Sequence, residues 1–174
     1  MTNPLDIKSL DIKRLARALS PRHAGVMDTG EDAETTPAPP GRDDRTPATV
    51  VPYLAVRGAA GAIDYYRRAF GAQERFRIED DGVVGHAELA IGGATIYLSD
   101  EWEQLRVHSP TTLGGWSVSL AIEVEDVDAF VAHLVGGGAR LERGVDDGPE
   151  EGWRSAWVVD LYGHRWHVSS PTAA

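Results

Sequence analysis

The chain contains no cysteine among its 174 residues, which excludes a disulfide framework, a thiolate nucleophile and any metal site built on sulfur. Long apolar runs are absent too: none approaches the roughly 20 residues that span a bilayer, and residues 1–8 lack a signal-peptide core. Positive charge is scarce, because 17 Lys and Arg face 27 Asp and Glu for a net charge of −10. This balance disfavours nucleic acid and anionic membranes. We therefore expect a cytoplasmic protein that binds neither.

The composition of the first 48 residues differs from that of the rest. Ile12, Leu15 and Leu19 recur at helical spacing, and residues 20–49 are rich in Pro, Thr, Asp, Glu and Gly with little to bury. The pattern predicts an N-terminal extension, residues 1–48, in which a short helix precedes a flexible linker. A single globular domain is expected over residues 49–172, with 42% of the whole chain hydrophobic.

A strand–helix–three-strand pattern opens this domain. We predict a strand over residues 50–56, a helix over 62–70 that ends at Gly71, and strands over 74–78, 83–91 and 94–99. Asp81-Gly82 and Gly92-Gly93 supply the turns between these last strands. A longer connection, residues 100–115, follows.

The same order then recurs after about 67–70 residues. Strands are predicted over 118–124, 140–143, 154–160 and 164–169, and a helix over 127–135. Each module has one helix for its strands, so the helix covers one face of a sheet and leaves the other face open. The fold class is therefore α+β, with two βαβββ modules.

Alternation along the strands predicts which side chains line the open faces. Apolar residues such as Leu54, Leu89, Leu98 and Val168 mark the helix-covered side, so their neighbours along each strand lie on the other side. The predicted lining is Val51, Tyr53, His86, Glu88, Tyr97, Ser119, Glu123, Arg165 and His167. His164 has the opposite parity from His167 and is interpreted as structural.

Five segments resemble, in order and spacing, the PhnB-like branch of the vicinal oxygen chelate superfamily, which includes glyoxalase I, extradiol dioxygenases and bleomycin-resistance proteins. They are Tyr65–Ala72, Gly85–Leu89, Leu98–Glu101, Val124–Ala129 and Gly163–Trp166. The resemblance covers about residues 49–170 and implies paired modules, about 49–100 and 117–170, that form a cup-shaped mixed sheet in a homodimer. Whether one chain or two close the cup is left open. Fold alone does not select a reaction.

The resemblance also implies where a metal ion would be held, namely on the first and last strand of each module. Those positions fall on Val51, Tyr97, Ser119 and His167, of which only His167 is an ordinary ligand. We therefore expect no metal cofactor. One alternative is a displaced divalent metal site of His86, Glu88 and His167, whose two nitrogens and one carboxylate match the set that non-haem iron uses.

Three functions remain open. The first is metal-independent binding of a planar or cationic small molecule, such as sequestration of a drug or natural product, because the predicted cavity is aromatic and acidic. Its ligand-binding residues are expected to be Tyr53, Tyr97, Trp102, Trp116, Ser119, Glu123, Arg165 and His167. The second is a glyoxalase- or dioxygenase-like enzyme in which His86 and Glu88 are catalytic, with or without a metal. The third is an interaction protein that works through residues 5–19.

Overall fold

A computed structural model describes residues 49–147 and 152–171 of the chain. The predicted extension, residues 1–48, lies outside them. The elements are β1 (Tyr53–Val56), α1 (Ala59–Ala69), β2 (Gln73–Asp80), β3 (Val83–Ile91), β4 (Ala94–Asp100), a 3-10 helix (Glu103–Leu105), α2 (Pro110–Leu113), β5 (Ser119–Glu123), α3 (Val127–Gly136), β6 (Arg140–Asp147), β7 (Trp153–Val159) and β8 (Arg165–Pro171). No helix in these ranges is long and apolar enough to cross a membrane.

The strands form two four-stranded sheets with matching topology. The first sheet has the order β1-β4-β3-β2 and the second β5-β8-β7-β6. In each sheet the outer pair, β1 with β4 and β5 with β8, runs parallel, and the other pairs run antiparallel. The predicted α+β fold with two βαβββ modules is confirmed.

Helix α1 begins at Ala59, three residues earlier than the sequence pattern predicts. Asp100 causes the difference, since its Oδ1 accepts hydrogen bonds of 2.9 Å from the backbone N–H groups of both Gly58 and Ala59. Gly58 adopts a φ of 83°, a left-handed conformation that favours glycine. A carboxylate from β4 thus satisfies donors that α1 leaves unpaired.

Other predicted boundaries also shift. The first strand begins at Tyr53 instead of residue 50, because Pro52 has no N–H to donate to the ladder with β4. Strand β6 extends to Asp147 instead of residue 143, and its pairing with β7 changes register on either side of Arg143. Alternation is lost at such irregularities, which hid the second half of this strand from the sequence pattern.

The helix-covered faces of the two sheets share one hydrophobic core. Leu54, Leu89 and Leu98 of the first module belong to the same buried cluster as Val158 and Val168 of the second. The predicted alternation is therefore correct on both sheets. The other faces, which we call the uncovered faces, lie on the far side of each sheet from this core.

Aromatic rings and one buried carboxylate join the modules. Phe70, the residue that follows α1, packs against Trp166 of β8 at 4.5 Å between ring centroids. Asp160, only 5% exposed, accepts hydrogen bonds from the Tyr66 hydroxyl at 2.8 Å and the Trp166 indole at 2.9 Å. Its other oxygen accepts from the backbone N–H groups of Tyr162 and His164, both at 2.9 Å. The charge is buried but fully hydrogen-bonded, as burial requires.

Close approach of α1 to the second module depends on a glycine. A Cβ atom built on Gly61 would lie 3.0 Å from the Tyr162 hydroxyl oxygen. His164 adds a further link, since its Nε2 donates to the Ala55 carbonyl oxygen at 3.1 Å. Burial lowers the pKa of His164, against smaller opposing effects of Asp160 and the Ala55 carbonyl. The interpretation of His164 as structural agrees with these contacts.

Candidate functional site

The uncovered face of the first sheet carries a compact group of polar aromatic residues, the tyrosine–histidine cluster: Tyr53, His86, Glu88 and Tyr97. Strand register assembles it, because Tyr97 pairs with Tyr53 on one side and with Glu88 on the other. The three rings meet edge to face, with centroids 5.5 Å apart for Tyr53 and His86 and 4.9 Å for His86 and Tyr97. This packing leaves His86 only 1% exposed.

Both nitrogens of His86 are engaged. Nδ1 lies 2.9 Å from the Tyr53 hydroxyl and Nε2 lies 3.4 Å from Glu88 Oε1. Burial raises the pKa of Tyr53, and Tyr97 adds to this effect against a lowering by Ser99. The phenol is therefore protonated at neutral pH, and its hydroxyl also lies 3.4 Å from the Gly85 carbonyl oxygen as a possible acceptor. The arrangement connects a phenol, an imidazole and a carboxylate, as a proton relay would require.

The uncovered face of the second sheet carries a different group, the tryptophan–arginine cluster: Trp116, Ser119, Glu142, Trp157, Arg165 and His167. The Arg165 guanidinium lies over Trp157, with Cζ 3.7 Å from the ring centroid, and 5.7 Å from that of Trp116. Its Nε donates to Glu142 Oε2 at 2.6 Å. His167 packs on the same Trp157 at 4.6 Å. An aromatic surface and an ion pair thus share one face.

Two of the predicted site residues lie apart from both clusters. Trp102 is in the connection after β4, where its backbone pairs with Val107, and its indole N–H is buried without an acceptor. Glu123 occupies the end of β5 on the uncovered face, and within the described ranges it has no hydrogen-bond or ion-pair partner. Neither residue is hydrogen-bonded to either cluster in the described part of the chain.

The second cluster includes two residues that the sequence analysis missed. Trp157 pairs with His167, and Glu142 holds Arg165. Trp157 had a usable signal, because Ala156 and Val158 are the apolar neighbours that place it on the uncovered face. Glu142 had none, since it lies within the irregular part of β6.

Comparison with known proteins identifies the family. The Glyoxalase/Bleomycin resistance protein/Dioxygenase superfamily model matches residues 47–168. The chain belongs to this superfamily. An uncharacterized Mycobacterium tuberculosis protein is 38% identical over 124 residues, which cover 69% of this chain and 72% of that protein. The family assignment therefore rests on most of the described domain.

Solved structures share the fold of this superfamily member. TioX from Micromonospora sp. ML1 is 26% identical with a TM-score of 0.55, and the match covers 73% of this chain and 98% of TioX. FosX, a fosfomycin resistance protein from Listeria monocytogenes, is 14% identical with a TM-score of 0.55, covering 73% of this chain and 95% of FosX. At 14% identity the FosX match shows the fold alone.

The donor atoms of a single chain do not form the divalent metal site that the sequence analysis considered. Among the described residues no group of three or more His, Asp or Glu side chains is placed to hold an ion. Within one chain, the displaced set of His86, Glu88 and His167 is divided between the two uncovered faces, which belong to different sheets, so a single chain does not bring the three side chains to one ion. At the inherited positions, Val51 has no side-chain donor, Tyr97 and Ser119 are poor ligands, and His167 stands alone.

Proposed function

We propose that this superfamily member binds a planar small molecule without a metal ion, between two copies of the chain. In the proposed homodimer, the tyrosine–histidine cluster of one copy faces the tryptophan–arginine cluster of the other. One observation carries the proposal: the two uncovered faces, which carry the two clusters, lie on the far side of their sheets from the shared core. A second copy is what would enclose them.

The sheet edges support this association. Strands β1 and β5 each have a neighbour on one side only within the described ranges, so backbone donors and acceptors on the other side are free to pair. Exposed edges of this kind are commonly covered by another chain. Val118, next to β5, is 68% exposed and gives that edge an apolar surface to bury.

The aromatic content of both faces favours a planar ligand. Tyr53 is 45% exposed and Trp116 39% exposed, so each has ring surface available for contact. A binding protein of this design would sequester a drug or natural product and so protect the cell that makes the protein. We place it in the PhnB-like branch, on the order and spacing of the five segments quoted above.

Tryptophan fluorescence tests the proposal. Titration with planar bicyclic compounds, 2-naphthoate and 2-acetylnaphthalene, should quench the emission saturably, and analytical ultracentrifugation should give a dimer. Trp157→Phe should change the quenching, whereas Trp102→Phe, in the connection after β4, should leave the affinity unchanged. A monomer that shows no saturable quenching by either compound contradicts the proposal. Metal bound stoichiometrically in protein that has never met a chelator contradicts its metal-free part.

The linked contacts of Tyr53, His86 and Glu88 favour one second candidate, an enzyme that removes a proton from an acidic C–H or O–H group. Glu88, with 33% of its side chain exposed, is the accessible end of the relay. General-base catalysis contributes about 10²–10⁴-fold. Deuterium exchange into a ketone probe, acetone, should then fall by about 10²-fold or more in His86→Ala. If the wild-type protein does not raise the rate of deuterium exchange above that in buffer alone, this candidate function is excluded.

A further inference from the structure

Arg165 is held from three directions. Its Nε donates to Glu142 at 2.6 Å, its Nη1 donates to the Ser119 hydroxyl at 3.3 Å, and its guanidinium plane rests on Trp157 at 3.7 Å. Only 26% of the side chain is exposed. An exposed arginine normally loses considerable rotamer freedom when it binds a partner, but here neighbouring groups already restrict the rotamer.

These contacts use only part of the guanidinium. Both N–H groups on Nη2 and the second one on Nη1 have no acceptor in the part of the chain that the structure describes. Adjacent N–H groups of this kind form a planar fork suited to a pair of oxygen lone pairs. A purely structural ion pair does not need the stacking on Trp157.

We infer that Arg165 is a specificity-determining residue that recognises an oxygen acceptor at the edge of the planar ligand; this inference rests on the proposed function. Trp157 and Trp116 flank the guanidinium, so a ring that stacks beside them brings its substituent to the free N–H groups. A carbonyl and a carboxylate both offer this acceptor. The carboxylate of Glu142 offsets the charge of Arg165, and Glu123 lies on the same face, so a neutral carbonyl suits the site better than an anion.

Three naphthalenes of matched shape test the inference on the full chain by calorimetry. They are 2-acetylnaphthalene, 2-naphthoate and 2-ethylnaphthalene, which carry a carbonyl, a carboxylate and no acceptor. We expect the acetyl compound to bind at least about 10-fold tighter than the ethyl compound, because hydrogen bonds to a charged donor are stronger than those between neutral groups. Comparing 2-naphthoate with the acetyl compound measures the effect of charge.

Arg165→Met should abolish the preference for an acceptor, reducing the acetyl-to-ethyl ratio to within about threefold. Arg67→Met is the matched control, because Arg67 lies on α1 in the first module, where it forms an ion pair with Asp64 and is 56% exposed in its side chain, and it should keep the full ratio. Arg165→Leu, which also lacks a donor, tests the same point if the methionine variant folds poorly. Near-UV circular dichroism reports whether each variant is folded.

The outcomes separate this inference from the proposed function. If all three probes bind the wild-type protein equally, or if the acetyl preference survives in both Arg165 variants, the inference is wrong while planar-ligand binding stands. If none of the probes binds the wild-type protein, the inference and the planar-ligand proposal fall together. Tighter binding of 2-naphthoate than of the ethyl compound, lost in Arg165→Met but kept in Arg67→Met, supports the inference with an anionic acceptor.

Discussion

The buried carboxylate of Asp160 holds the junction between the modules, and its removal is a direct test. Asp160→Asn keeps the volume but turns one acceptor atom into a donor that faces other donors. We expect the free energy of unfolding to fall by about 2–4 kcal/mol, because buried hydrogen bonds to a charged group are lost. Urea denaturation measures this change. The control variant Asp146→Asn breaks an ion pair between side chains that are 45% exposed for Asp146 and 64% exposed for Arg143. It should lower the free energy of unfolding by less than about 0.5 kcal/mol.

His164 predicts a loss of stability in mild acid. Its pKa in the folded protein is lowered by burial below that of the unfolded chain. As pH falls through about 6.5, the unfolded chain therefore takes up a proton that the folded protein does not, and stability declines until the folded pKa is reached. His164→Gln keeps a donor for the Ala55 carbonyl but does not titrate. Its free energy of unfolding should change less between pH 7 and 5 than that of the wild type, and an equal or larger change contradicts the assignment.

At the scale of single elements, Asp100 is the residue that determines where α1 begins. It accepts from Gly58 and Ala59 at 2.9 Å and from the Val84 backbone N–H at 2.8 Å, so it fixes helix, turn and strand together. Asp100→Ala should destabilise the protein by about 2 kcal/mol. Asp126→Ala removes the N-cap of α3, whose side chain accepts one backbone hydrogen bond in the described part of the chain, from Ala129. This change should lower the free energy of unfolding by about 1 kcal/mol. Thermal unfolding measures the loss of stability in both variants. Equal losses would show that the contact to Val84 adds no stability.

Alternation predicted which face of each strand is buried, since one misplaced register would have exposed Leu89 and Leu98, and both are fully buried. It did not predict where α1 begins, because that depends on a carboxylate 41 residues away from Ala59. Nor did it identify Glu142, which reaches Arg165 only through the irregular pairing of β6. Local patterns therefore predicted which side of each strand is buried, and contacts between distant segments account for the residues that were missed.

At the scale of the whole molecule, the sequence predicted two sets of lining residues but not their relative position. That position depends on how Phe70, at the end of α1, packs against two rings of the second module. Its ring centroid lies 4.5 Å from that of Trp166 and 5.8 Å from that of Phe130. No strand pattern encodes this packing. Because this packing joins the covered faces, each cluster lies on the far side of its sheet from the shared core. The proposed cavity, which uses both clusters, would then belong to two chains, and mixing two variants of the protein tests this.

Complementation between two inactive variants provides that test. Tyr53→Ala damages the face of the first sheet and Trp157→Ala that of the second, so each homodimer should lose ligand binding. In a mixed dimer, one cavity combines both damaged faces and the other combines both intact faces. If equal amounts are refolded together and associate at random, about half of the dimers are mixed, and binding stoichiometry should recover to about one quarter of the wild-type value. If the cavity were closed within one chain, binding would not recover, because every chain would carry its own damaged face. A mixture that binds no more 2-acetylnaphthalene than the separate variants therefore contradicts the shared cavity.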